Sequence, residues 1–261
     1  MSKIASLDVL DRFVLRTPPS TTLGLRYDPS QPRGEDGKWT SGGGGGVGDI
    51  DDDGDGLGGG ATGQTDAYDE DTTAQMRAHD ALEREQAAYI DRGLDSETKT
   101  VIGGYTDEQH TAQNKVLRGA PPPPLDVDEQ TLMDIEYEAE LITEAILDAP
   151  PLSQPITVYR GVSAGVLGKS TDDRRELIGS SFVDKGISST SMSISTPEQF
   201  MTGADDVMLK IRVPAGGSAL SVEKLTRNPG EFEVLLPPGA KFNVVDVIPG
   251  AYDIVVVEVV N

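Results

Sequence analysis

Pro229-Gly230-Glu231-Phe232-Glu233-Val234-Leu235-Leu236-Pro237-Pro238-Gly239 is the stretch on which the reading of this chain turns. Phe232, Val234, Leu235 and Leu236 are of the apolar kinds that strands favour, and Pro and Gly punctuate both ends. The pattern predicts a short strand entered from a tight turn. Side chains alternate faces along a strand, so Glu231 and Glu233 are expected on one face with their carbons roughly 6.5–7 Å apart. At that spacing each charge feels the other. Two aligned carboxylates can stabilise a developing cation with one group and steer a nucleophile with the other. Taken alone, a Glu-x-Glu pair is more often the solvated face of an edge strand.

Two upstream stretches change that balance. Ile156-Thr157-Val158-Tyr159-Arg160-Gly161 is a strand-like run that ends in an arginine beside a glycine. A planar guanidinium next to bare backbone is a good receptor for phosphate. Between the two lies Ser180-Ser181-Phe182-Val183-Asp184-Lys185-Gly186-Ile187-Ser188-Ser189-Thr190-Ser191. On a strand Ser189 and Ser191 share one side, and their short hydroxyls can bond a neighbouring carboxylate without filling the space a ligand needs. A plain polar edge strand is the alternative reading of this run.

In this order, Tyr-Arg-Gly at 159–161, Ser-Thr-Ser at 189–191 and Glu-x-Glu-Val-Leu-Leu-Pro at 231–237 resemble the arginine–serine–glutamate class of mono-ADP-ribosyltransferases, the exoenzyme group that includes clostridial binary actin-modifying toxins. Tyr105-Thr106, Asn114 and Leu117-Arg118 resemble the helix that precedes the first strand in that group, so the likeness covers about residues 75–261. The resemblance implies an α+β fold of two packed, mostly antiparallel sheets with flanking N-terminal helices, and NAD as substrate in the cleft between them. It implies Glu233, Glu231, Ser189 and Arg160 as catalytic residues. NAD contacts would come from Arg160, Gly161, Ser189, Thr190, Ser191 and Glu233, with no metal. Glu233 would stabilise the ribose cation, Ser189 would orient Glu233, Arg160 would engage the dinucleotide, and Gly161 would grip the nicotinamide amide through its backbone.

Glu at the first Glu-x-Glu position goes with arginine as the acceptor in that class, so the partner implied is a protein substrate with an exposed arginine. A carboxylate pairs bidentately with a guanidinium, which suits the assignment. Residues 221–230 would form the turn that presents the target. Phe182 is read as a core aromatic rather than a nicotinamide stack. Some relatives carry a further arginine after the Ser-Thr-Ser strand, whereas residues 192–209 contain no Lys or Arg, so phosphate binding would be weaker or would use Lys185 or Lys224.

Composition bounds the partners. A formal net charge of −22 and a pI near 4.3 argue against nucleic acid or an anionic membrane. There is no cysteine, so neither a disulfide framework nor a thiolate metal site is available. His79 and His110, the two histidines, are read as helix-surface residues. No stretch has the length and apolarity of a signal peptide core or a transmembrane span, so the chain is expected to be soluble.

Residues 41–66 contain twelve glycines and six aspartates and are expected to form a flexible, self-repelling linker. Within it Asp49-Ile50-Asp51-Asp52-Asp53-Gly54 imitates the start of a calcium loop but lacks the closing Glu, Gly60 standing in its place. Ahead of it, residues 26–40 carry the chain's one Trp, Trp39, and resemble a short peptide of bacteriophage head-associated proteins. The division expected is therefore 1–40 as a phage-associated segment, 41–73 as linker and 74–261 as the catalytic domain. Attachment to phage capsid or portal proteins through residues 24–40 follows from the resemblance, with the virion or the host cytoplasm as the location. Three readings compete: a phage-encoded arginine-specific transferase, a bacterial toxin of the same chemistry, and an inactive transferase-like virion structural protein.

The remaining pattern supports α+β. Residues 74–92 read as a helix with Leu82 and Tyr89 inward, and Thr106 with Gln109 forms a capping box for a helix to about Arg118. From near Asp126 or Val127, Leu132, Ile135, Ala139, Ile142 and Ile146 recur as a buried stripe. Strands are expected at 156–160, 181–183, 187–192, 207–213, 232–236, 241–248 and 253–260, with a short helix at Thr196-Pro197. Helices first and strands afterwards is the α+β arrangement, and no Gly-x-Gly-x-x-Gly follows a strand to suggest a Rossmann site.

Overall fold

The computed structural model describes residues 65–120, 122, 127–168 and 173–260. The 24–40 peptide, the calcium-like loop and most of the Gly/Asp-rich segment lie outside the described residues. Helix α1 (Thr65–Ala88) takes in the last residues of the 41–73 segment and passes into one wide turn, Tyr89–Gly93. Leu82 is buried on its inner face, and the Tyr89 hydroxyl donates to the Ala145 carbonyl at 2.8 Å.

Asp95 starts α2 (Ser96–Gly104) by accepting a hydrogen bond from the Thr98 N–H at 2.7 Å, the usual side-chain cap, worth about 1 kcal/mol. The fresh helix start expected at Thr106 does not occur. The chain instead continues from α2 through a wide turn, Tyr105–Gln109, into α3 (His110–Leu117). The Thr106 hydroxyl donates back to the Gly103 carbonyl at 3.0 Å and so caps nothing. Ile102 and Tyr105, both fully buried, hold this stretch helical against the core. Helix α4 (Glu129–Asp148) is capped by Asp128, which accepts from the Thr131 N–H at 2.7 Å. It buries Ile135, Ala139, Ile142, Ala145 and Ile146, and its outer face is acidic.

The strands are β1 (Ile156–Ser163), β2 (Ser181–Asp184), β3 (Ser188–Ser191), β4 (Asp206–Val213), β5 (Leu220–Ser221), β6 (Glu233–Leu236), β7 (Ala240–Ile248) and β8 (Ile254–Val260), with a one-turn helix α5 (Ser195–Glu198) after β3. They lie in the order β2-β7-β8-β4-β1-β3-β6-β5. All neighbours are antiparallel except β4 and β8, which run parallel. The two halves, β2-β7-β8-β4-β1 and β3-β6-β5, meet through a single register pair, Tyr159 opposite Ser191. The sheet is thus continuous, yet it is nearly divided where β1 passes β3.

Two apolar clusters hold this arrangement. The larger joins both halves of the sheet through residues such as Val158, Ile211, Phe242 and Val257 on one half and Val234 and Leu236 on the other. The second packs α2 and α4 onto the β3-β6-β5 half, with Ile102, Ile142, Ile187, Leu220 and Leu235. Strand β6 feeds both: Val234 and Leu236 enter the first cluster and Leu235 the second, each stabilising by about 1.5–3 kcal/mol. Among the described residues no helix is long and apolar enough to cross a membrane.

Candidate active site

The near-division of the sheet places the three motifs side by side. Tyr159 of β1 lies opposite Ser191 of β3, and Ser191 in turn lies opposite Glu233 of β6. A cleft of about 380 Å³ opens there, lined by Arg160, Gly161, Ser189, Thr190, Ser191, Glu231 and Glu233. Its remaining walls include Tyr105 and Asp107 from the helical layer and Pro197 and Phe200 from the segment after β3.

Glu233 is the most constrained residue of the cleft. Its side chain is only 5% exposed. Oε1 accepts the Ser189 hydroxyl at 2.5 Å, and Oε2 has no hydrogen-bond partner among the described residues. Burial pushes its pKa up to about 8, the Ser189 bond opposes the rise, and the charges of Glu231 and Glu223 add to it. A buried carboxylate oxygen without a partner is unusual, because leaving it so costs about 1–3 kcal/mol. The residue lines the cleft, with that oxygen itself covered by protein.

The expectation that Glu231 and Glu233 share one strand face needs correction. β6 starts at Glu233, and Phe232 takes a left-handed backbone conformation with φ of +51°. A residue in that conformation breaks the strand's alternation, so Glu231 projects from the preceding turn. Glu231 is half-buried, and burial, then the Glu223 charge, hold its carboxyl above the usual range. The Ser-Thr-Ser hydroxyls each grip this segment at a different point. Ser189 bonds the Glu233 carboxylate, Thr190 donates to the Val234 carbonyl at 2.6 Å, and Ser191 donates to the Glu231 carbonyl at 2.6 Å.

Arg160 is the one arginine or lysine among the described residues that line the cleft. It is fixed by Asp184, whose Oδ2 receives the guanidinium at 2.7 Å. Asp184 is 7% exposed and also accepts from Arg118 at 3.0 Å, from the Gly186 N–H at 3.0 Å and from the Ser188 hydroxyl at 2.9 Å. Burial alone would raise its pKa, but Arg160, the Gly186 amide and Arg118 outweigh it and hold the carboxyl below its ordinary value. Asp184 therefore stays an anion and braces two arginines at once. The sequence reading did not single it out; the signal was its place in Asp184-Lys185-Gly186, where the glycine leaves room for Arg118. A Cβ on Gly186 would sit 2.7 Å from Arg118 Nη2.

Asn114 extends the same network. Its amide donates to the Tyr105 hydroxyl at 3.0 Å and accepts from the Ile187 N–H at 2.7 Å, fixing α3 to the entry of β3. Gly161 is required by close packing: a Cβ there would meet Met201 Cγ at 2.7 Å and the Pro197 carbonyl at 3.1 Å. Phe182 lies outside the cleft and stacks on Phe242 at 5.2 Å. Lys185 and Lys224 are exposed and do not line the cleft. His79 is not a surface residue. It is 2% exposed and packs edge-on against Phe232 at 5.1 Å, because α1 lies directly behind the Glu-x-Glu turn. His110 is half-buried at the cleft wall, edge-on to Tyr105 at 6.2 Å.

Comparison with known proteins agrees with this fold. The profile of the ADP-ribosyltransferase exoenzyme family matches residues 79–256. Among solved structures, Plx2a, an ADP-ribosyltransferase toxin from Paenibacillus larvae, superposes with a TM-score of 0.56 at 22% identity, covering 72% of this chain and 97% of that one. Vis, an ADP-ribosyltransferase from Vibrio splendidus solved in complex with agmatine, gives a TM-score of 0.55 at 18% identity over 74% of this chain and 86% of its own. C3stau2 from S. aureus, solved with NAD, gives 0.55 at 20% identity over 72% and 95%. At these identities the solved structures establish the fold. No curated protein matches the sequence significantly.

Proposed function

The chain belongs to the ADP-ribosyltransferase exoenzyme family, and from that premise we propose that it transfers ADP-ribose from NAD to arginine side chains of a target protein. One observation carries the reading: Glu233 lies buried in the cleft with one oxygen bonded to Ser189 and the other without a partner among the described residues. A ribose hydroxyl would supply the partner that this oxygen lacks once the side chain turns it toward the cleft. Arg160, braced by Asp184, would take the dinucleotide's phosphate charge, and Gly161 would offer backbone to the nicotinamide amide.

The glycosidic bond to nicotinamide breaks, and its electron pair leaves with the base. The sugar carbon left behind is electron-poor, as in glycosidase chemistry, and an ionised Glu233 beside it stabilises the charge. A guanidine nitrogen then bonds to that carbon and gives up a proton. Arginine stays protonated in water, so the acceptor needs a base, and Glu231 is suited to the role. Its raised pKa makes it a better base than an exposed glutamate. The agmatine complex of the related Vis toxin supports a guanidinium acceptor for this fold. Water in place of the guanidine would give simple NAD hydrolysis.

For residues 24–40, with Trp39, we propose attachment to a phage capsid or portal protein, on the resemblance of that peptide alone. The whole reading is tested by incubating the protein with NAD and a basic acceptor protein, then mapping the adduct by mass spectrometry. ADP-ribose on arginine is the outcome expected. Modification of another residue type would overturn the acceptor, and no modification with no nicotinamide release would overturn the activity.

A further inference from the structure

Glu223 stands just past β5, outside the lining of the cleft, yet it controls the turn that carries Glu231. Its Oε1 accepts the Gly230 N–H at 2.5 Å and its Oε2 accepts the Phe232 N–H at 3.0 Å. Both of these residues have positive φ, +95° at Gly230 and +51° at Phe232. For a phenylalanine that conformation costs on the order of 1–3 kcal/mol, so something must hold it. On the opposite side the Ser191 hydroxyl grips the Glu231 carbonyl at 2.6 Å, and the Met192 N–H grips the Phe232 carbonyl at 3.0 Å. The peptide of Glu231 is thereby pinned from both flanks.

A carboxylate is the side chain this position needs. The backbone ladder between β5 and β6 ends at the bond from the Val222 N–H to the Glu233 carbonyl, 3.1 Å long. Beyond it the N–H groups of Gly230 and Phe232 converge, the kind of concave backbone nest that binds an anion. The two oxygens of Glu223 satisfy one each. The arrangement is not free of cost, since Glu223 adds a third negative charge near Glu231 and Glu233.

We propose that Glu223 is a positioning residue for Glu231, holding the 229–232 turn in the conformation that aims Glu231 into the cleft, and that it thereby governs transfer to the acceptor more than cleavage of NAD. This rests on the proposed arginine-transfer function and extends it to a residue that need touch neither substrate. Glutamine at 223 keeps the size but offers one acceptor and one NH₂ donor, so one backbone N–H would face a donor. The turn then loosens while the strand bearing Glu233 keeps its ladder.

The experiment compares the full-length wild type with Glu223→Gln and Glu223→Ala, using agmatine as the acceptor. Transfer to agmatine is expected to fall at least about tenfold in both variants, while acceptor-free nicotinamide release falls no more than about threefold. The pH midpoint of nicotinamide release should move down, because a negative charge near Glu233 has gone. Hydrogen exchange supplies a readout independent of activity: the Gly230 and Phe232 amides are expected to be protected in the wild type and to lose protection in both variants. Equal transfer by Glu223→Gln and the wild type would overturn the proposal, and so would a parallel fall of transfer and nicotinamide release, or unchanged amide protection. A wild type that cleaves NAD but modifies no guanidinium would instead sink the arginine reading on which the proposal rests.

Discussion

Ser189 donates its hydroxyl to Glu233 Oε1 at 2.5 Å and is the one hydrogen-bond partner the Glu233 carboxylate has among the described residues. A buried carboxylate tied to the protein by one bond is poised between its acid and its anion, and that single bond favours the anion.

Replacing Ser189 with Ala therefore does more than remove a contact. The pKa of Glu233 should rise further, and NAD cleavage at neutral pH should fall roughly 10- to 100-fold, the scale of a hydrogen bond to a charged group. Nicotinamide release measured against pH is the check. An upward shift of the kcat/KM midpoint relative to wild type is the outcome expected, whereas an unchanged profile would show that Ser189 only fills space.

The same pKa has a consequence for stability. Glu233 in the folded protein holds its proton up to about pH 8, far above the 4.5 of an unperturbed glutamate. The folded state thus binds this proton more tightly, and the stability it confers is complete below pH 4.5 and lost as pH rises through 8. Glu233→Gln cannot ionise and should keep its melting temperature across that window. At pH 8 and above it should be more stable than wild type by on the order of a few kcal/mol. Thermal melts at pH 5 and pH 9 decide the matter, and parallel losses in the two proteins would argue against a buried, titrating Glu233.

Asp184 titrates in the opposite sense. Its carboxyl is held low by Arg160, the Gly186 amide and Arg118, so its contribution is present above the ordinary 3.8 and lost as pH falls through the depressed value. Asp184→Asn is expected to cost about 1–3 kcal/mol at neutral pH, a modest figure because both arginines reach solvent. It should raise the KM for NAD more than it lowers kcat. Titration calorimetry with NAD would expose the error if affinity were unchanged, since Arg160 would then not depend on its brace.

Much of this was legible in the sequence because the relevant signals are local. The apolar stripe of α4 and the strand runs ending in β8 follow directly from side-chain periodicity. What escaped depended on contacts between distant segments. Thr106 looks like a cap until Tyr105 and Ile102 are seen buried against the sheet, which keeps the chain helical past it. His79 looks like surface until α1 is laid behind Phe232. The even alternation of Glu231 and Glu233 fails because Phe232 adopts a left-handed conformation, and the groups that hold it there come from Glu223, Ser191 and Met192. Asp184 was invisible as a brace because its arginine partners lie 66 and 24 residues away.

Gly161 tests the wall made by α5 and the residues after it. Alanine there would press on Met201 and on the Pro197 carbonyl. Met201 is flexible and the carbonyl is not, so the segment is expected to shift and to open the cleft. Gly161→Ala should raise the KM for NAD several-fold, and adding Met201→Ala should restore only part of it. Unaltered kinetics would mean that this wall yields freely.

Glu231→Gln separates the two carboxylates. Transfer to agmatine should fall far more than acceptor-free nicotinamide release, because Glu231 serves the incoming guanidine and Glu233 the sugar. Assaying both activities on one preparation checks this, and a common loss would refute the division between them.

The most direct measurement is nicotinamide release from NAD by the folded Glu233→Gln variant. With the wild type cleaving NAD, the variant should release nothing above background, with or without an arginine acceptor, since no other carboxylate among the described residues that line the cleft is fully buried. Cleavage by Glu233→Gln at a rate near that of the wild type would contradict the assignment of Glu233 as the residue that stabilises the ribose cation.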